Sequence, residues 1–124
     1  MGRPSPEYIA VWEIVLKAHK AAETAIRAGM SAVEADALAR DPIAEAGYAD
    51  HFGHGLGHGV GLAVHEGPWA SRFSEDTLEA GMSLTIEPGI YLPGKFGVRI
   101  EDLVIVRQKD TEILSSAPKT PVVD

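Results

Sequence analysis

The chain has 124 residues, 45% of them hydrophobic, no cysteine and a formal net charge of −7 at pH 7. That length suits one domain with a core rather than two, and the acidic balance repels nucleic-acid phosphates and an anionic membrane surface. Without cysteine there is no disulfide framework, thiolate metal site or thiol nucleophile, so a metal must be held by imidazole and carboxylate.

The first residues, MGRPSP, open no apolar stretch of signal-peptide or membrane-spanning length, and the reading is a cytoplasmic, soluble protein. A helix is expected from Ser5, with Pro6 at its first position and Glu7 in its first turn. Ile9, Trp12, Leu16, His19, Ala22 and Ile26 recur at helical steps and are expected on the buried face until Gly29 stops the helix. Ser31 followed by Glu34 reads as a capping box for a second helix, with Val33, Ala37 and Leu38 buried and Gly47 as its stop. Asp41-Pro42 either kinks that helix or begins a short third one.

After Gly47 the period changes. Met82–Glu87 and Val98–Val106 are rich in β-branched residues and bounded by Gly and Pro, giving a helix-then-sheet, α+β arrangement. In the second strand Arg99, Glu101, Leu103 and Ile105 share a face, so Glu101 is expected among apolar neighbours, a costly place for a carboxylate without a cation or donors. Arg99 could serve as that partner. The tail after Arg107 carries charges and prolines and is expected to wander over the surface.

The stretch HFGHGLGHGVGLAVHEGP, residues 51–68, holds four of the five histidines and glycine at alternate positions from Gly53 to Gly61. A phosphate loop is ruled against by the spacing and by the lack of a following Lys. A helical zinc motif fails because glycine at every second position disfavours a helix. On extended backbone His54 and His58 point the same way, and the glycines let a strand, a metal or a substrate come close. Two readings stand: a Gly-rich strand packed tightly with structural histidines, or a site. Glu87, fixed before Pro88-Gly89, is a solvent-facing strand end or a site carboxylate. His58, Glu87 and Glu101 together make a donor set suited to Mn, Fe, Co or Zn.

In order and spacing, His54-Gly-Leu-Gly-His58, Val64-His65-Glu66-Gly-Pro68, Thr85-Ile86-Glu87-Pro88-Gly89 and Val98-Arg99-Ile100-Glu101-Asp102 resemble the C-terminal part of the pita-bread metallopeptidases. That family includes the Xaa-Pro aminopeptidases, prolidases and methionine aminopeptidases, and the ending around Arg99 looks like the proline-peptidase branch. The resemblance covers about residues 5–110, with 111–124 as a tail, and implies half of a pita-bread fold: a helix pair packed on a curved antiparallel sheet. It implies a divalent metal (Mn, Co, Zn or Fe) with His58 and Glu87 as ligands and Glu101 bridging two ions. Hydrolysis of an N-terminal bond, in peptides with proline at the second position, is the implied reaction. In it Glu87 takes the proton of the attacking water, His65 stabilises the oxyanion, His54 lines the substrate site and Arg99 supports Glu101.

The family's two aspartate ligands belong to a preceding half, and Asp36, Asp41, Asp50 and Asp76 do not sit in its aspartate motif. The isolated chain is therefore expected to be inactive alone. It is expected to form a homodimer or to take a complementing N-terminal half. The rivals are a non-catalytic module that binds a metal or a partner, and one subunit of a split peptidase.

Overall fold

A computed structural model describes residues 5–59 and 69–116. The first helix, α1, runs Pro6–Ala25, capped by the Ser5 hydroxyl, which accepts from the Tyr8 backbone N–H. It stops four residues before Gly29, where Ile26 turns extended; Gly29 itself, at φ 90°, serves the turn into the next helix. That helix, α2, runs Ala32–Glu45 from a Ser31 cap, and the Ser31 hydroxyl also donates to the Glu34 carboxylate. It continues unbroken through Pro42, with neither a break nor a third α-helix at that point.

The expected face of α1 holds in its second half, where His19, Ala22 and Ile26 are fully buried, and shifts in its first half: Val11, Val15 and Ala18 are buried there, while Ile9 is exposed and Trp12 and Leu16 are half-buried. On α2 the buried stripe is Ala32, Ala35, Asp36, Ala39 and Ile43, while Val33 is exposed. The two helices pack on each other, and the buried alanines Ala18 and Ala22 of α1 and Ala32, Ala35 and Ala39 of α2 are small enough to allow close helix packing. Among the described residues no helix is long and apolar enough to cross a membrane.

After a short 3-10 turn at Ala49–His51 the described residues form seven strands, all paired antiparallel: β1 Gly57–His58, β2 Trp69–Ala70, β3 Ser83–Ile86, β4 Gly89–Leu92, β5 Phe96–Arg99, β6 Asp102–Val106 and β7 Thr111–Ser116. The central sheet has the order β3-β6-β7, β1 pairs with β2, and a bridge from Gly59 to Leu84 joins β1 to the β3 edge. The strand expected over Val98–Val106 is thus two strands, interrupted at Ile100 and Glu101, and the first part of the expected wandering tail, Thr111–Ser116, forms β7, while residues 117–124 lie outside the described residues. The polar residues of β7 pair because β6 offers a complete edge, an interaction with a distant segment that local hydropathy does not report.

The pairings β3–β6 (Ile86 opposite Asp102) and β4–β5 (Gly89 opposite Arg99) follow one continuous register. The four strands are therefore one long hairpin with an interruption, which keeps a single backbone bond from the Ile100 N–H to the Pro88 carbonyl. Its even-numbered side chains Leu84, Ile86, Ile90, Val98, Ile100 and Val104 are buried in the core. The odd-numbered side face carries Glu87, Tyr91, Arg99 and Glu101.

Candidate metal centre

Extending that register through the interruption sets Glu87 opposite Glu101. The two carboxylates stand on adjacent strands where the regular ladder lapses. Glu101 is exposed and Glu87 half-buried, so the apolar face is the other one, and Asp102 is the carboxylate buried among hydrophobic residues. A hydrogen bond from the Glu87 N–H to the Leu56 carbonyl, at 2.7 Å, ties the glycine-rich segment to the hairpin here.

His58 reaches the same place from β1. Its backbone N–H donates to the Thr85 hydroxyl at 3.0 Å. Gly57 is required for this approach, because a Cβ there would collide with the Thr85 carbonyl. At Gly55 a Cβ would meet the Ala70 carbonyl at 2.8 Å. Gly55 and Gly57 are therefore consumed by close backbone packing, whereas a Cβ at Gly53 would meet nothing, and His58 beside them is carried onto the hairpin. His58 Nδ1 lies 2.9 Å from the Gly59 carbonyl, which only accepts, so Nδ1 is the donor. In the neutral ring Nε2 then carries the lone pair, and it faces Glu87 Oε2 at 3.7 Å. Two ligand bonds of about 2.1 Å meeting near 120° span roughly this separation. A backbone carbonyl fixing the far ring nitrogen is how ligating imidazoles are oriented. His58 and Glu87 fit one divalent cation on this geometry; Glu101 stands opposite Glu87 in register, but its carboxylate is not gathered with them, and among the described residues only His19, Glu23 and Asp102 bring three ligand atoms within 4.8 Å of one another.

His54 lies further along the same face. Its Nδ1 donates to the Gly55 carbonyl at 2.7 Å, so its Nε2 accepts from the Tyr91 hydroxyl at 2.8 Å. Its ring also packs edge-on against Phe52. Tyr91 was not among the expected site residues. It lies over Gly89 and Gly97, where a Cβ would meet its hydroxyl at 2.6 Å and its ring at 2.8 Å respectively, and its carbonyl is 3.2 Å from His51 Nδ1. The signal for it was the i, i+2, i+4 alternation Glu87-Gly89-Tyr91, legible only once Gly89–Leu92 is recognised as a strand. Burial raises the Tyr91 phenol above its ordinary value; the Arg99 guanidinium opposes this through charge and a hydrogen bond, and Glu87 and Glu101 add to it. Arg99 is exposed, and among the described residues it makes no ion pair with Glu101. His65 lies outside the described residues.

Because the folded-state pKa of Tyr91 is raised, its contribution to stability is present below the unfolded value near 10 and is lost as pH rises through the folded one. Tyr91→Phe is expected to cost about 1 kcal/mol at neutral pH through the lost hydrogen bond. It should also flatten the alkaline decline in stability, which urea titrations between pH 8 and 11 would measure; an unchanged alkaline limb would contradict the assignment.

The loop bearing His54 is held from α2. Asp36, 1% exposed, accepts from the Leu56 N–H at 2.9 Å and from Arg40 Nε at 2.6 Å. Arg40 also donates to the carbonyls of Phe52 and His54 at 2.9 and 2.8 Å and stacks on the Phe52 ring. This pair was not anticipated, since an Asp and an Arg one turn apart read as an ordinary solvated helix face.

Residues 1–108 match the model of metallopeptidase family M24. The chain is similar to an Xaa-Pro dipeptidase of Pyrococcus furiosus, 46% identical over 119 residues that are 96% of this chain and 34% of that protein. Among solved structures it superposes on an Xaa-Pro dipeptidase from Bacillus anthracis with a TM-score of 0.94 and 46% identity, covering 98% of this chain and 34% of the other. An X-Pro aminopeptidase from Thermotoga maritima gives 0.91 and 45%, covering 97% and 34%. The chain thus spans about a third of the length of these relatives. Its two helices and antiparallel sheets are a partial pita-bread fold, and the chain belongs to metallopeptidase family M24.

Proposed function

We propose that this chain forms the C-terminal part of an Xaa-Pro-cleaving metallopeptidase site, in which His58, Glu87 and Glu101 hold a divalent metal. The observation that carries this reading is the apposition of His58 Nε2 and Glu87 Oε2, with the imidazole oriented by the Gly59 carbonyl. A bound divalent cation supplies carbonyl polarisation and water activation. The chain's own residues do the remaining work. Glu87 accepts the proton of the attacking water. His54, fixed by Tyr91 and Phe52, lines the substrate site, and His65 stabilises the developing negative charge. Arg99 adds positive charge beside two carboxylates. The proposed substrate is a peptide with proline at the second position.

Among the described residues no aspartate is gathered with His58, Glu87 or Glu101 to complete a second ion's ligand set. Asp36 is occupied by Arg40 and the Leu56 amide, Asp102 lies on the core face with His19, and Asp110 pairs with Arg107. Fewer anionic ligands hold a cation less tightly. Calorimetric titration with Mn, Co and Zn is therefore expected to show binding weaker than in a full-length relative, lost when His58 and Glu101 are both replaced by Ala. Binding that survives the double replacement overturns this reading.

A further inference from the structure

Beneath the carboxylate pair, on the core side, lies a polar cluster that the proposed reaction does not use. His19 of α1 is fully buried; its Nε2 is 3.3 Å from Asp102 Oδ2 and 3.7 Å from Glu23 Oε2, and the Asp102 side chain is fully buried as well. Asp102 directly follows Glu101, and successive residues of an extended chain point to opposite sides. When Asp102 is turned inward, Glu101 is turned outward toward Glu87.

We infer that His19 is a positioning residue for the Glu101 carboxylate, acting through Asp102; the inference rests on the metal-binding reading above. Glu101 sits where the hairpin ladder is interrupted: β5 ends at Arg99, β6 resumes at Asp102, and one bond from Ile100 to Pro88 remains. The ladder restrains the direction of Glu101 least at this point. Asp102 is the first residue at which pairing resumes, opposite Ile86, and His19 ties that residue to a helix. An apolar pair would hold α1 on β6 at no greater cost, since burying an imidazole and carboxylates is expensive. What the polar pair adds is direction: the charge contact of 3.3 Å between His19 Nε2 and Asp102 Oδ2 holds the side chain of residue 102 toward α1 and with it the aim of residue 101. A ligand carboxylate needs that aim, and outer-shell partners of metal ligands are worth about 10- to 100-fold in affinity.

The test uses the 124-residue chain and Co(II), whose visible absorption reports ligand geometry, alongside calorimetric affinity and a thermal melt. His19→Leu fills the core without reaching Asp102, and it is expected to bind Co(II) about 10- to 100-fold more weakly with an altered spectrum. His19→Gln keeps a donor toward Asp102 and should recover most of the affinity and the wild-type spectrum. Val15→Ala, in the same buried stripe, lowers the melting temperature without touching the pair and should leave affinity within about twofold. Wild-type affinity and spectrum in His19→Leu overturn the inference, and so does an equal loss in Val15→Ala, which would mark a merely structural role. Should His19→Leu fail to fold, His19→Asn, polar but too short to reach Asp102, takes its place with the same two outcomes. Glu101→Ala separates the two levels: if it binds Co(II) as the wild type does, the metal reading fails and carries this inference with it. If it abolishes binding while His19→Leu changes nothing, only the inference fails.

Discussion

Residues 1–124 as an isolated polypeptide are expected to hydrolyse Xaa-Pro peptides at no more than about a thousandth of the rate of a full-length relative, even with Mn or Co added. Positioned proton transfer alone is worth about 10²–10⁴-fold, and it depends on a water held in one orientation. Here the carboxylate that would take the proton, Glu87, faces His58 across 3.7 Å, but Glu101 is exposed, and among the described residues no aspartate is gathered with it. On the proposed reading, a metal site without its aspartate ligands loses both orientation and charge stabilisation. Mixing the chain with a separately expressed aspartate-bearing N-terminal segment of a relative should restore turnover, read with a proline dipeptide. Chelator-sensitive activity of the isolated chain that disappears in Glu87→Gln would show that a mononuclear arrangement suffices.

Replacing Asp36 is expected to have the largest effect on the fold. Its carboxylate receives the Leu56 amide and two nitrogens of Arg40, at 1% exposure. Asp36→Ala leaves Arg40 without its counter-charge beneath the loop it holds through Phe52 and His54. Removing one partner of a buried ion pair costs about 3–5 kcal/mol, against a total stability of about 5–15 kcal/mol for a domain of ordinary size. The melting temperature should fall by about 10–20 °C. Asp36→Asn, which still accepts from the Leu56 amide, should fall by less. Near-wild-type melting of Asp36→Ala would mean that the loop is held by other contacts. Because that loop carries His54 and leads into His58, the same variant should also weaken metal binding beyond what its residual folded fraction explains.

What was legible in the amino-acid order was local chemistry. Ser5 and Ser31 each precede a helix and satisfy its first amides, an interaction spanning three residues that any reader of the chain can anticipate. The carboxylate and imidazole candidates were visible because their residue types and neighbours are unusual: His54 and His58 among glycines, Glu87 before Pro-Gly, Glu101 after Arg99 and Ile100. Which residues face one another was decided by tertiary structure. The register that sets Glu87 opposite Glu101 is a property of two paired segments, since a strand slipped by one residue would turn every side chain to the other face. Which side of α2 and of the first half of α1 is buried was decided by packing against the rest of the fold, and β7 by the edge that β6 presents. Tyr91 reached His54, and His19 reached Asp102, only when elements far apart in the chain were packed together. Periodicity reports which side of an element is apolar; it carries no information about the distant atom that a buried polar group will meet, because that partner is supplied by packing.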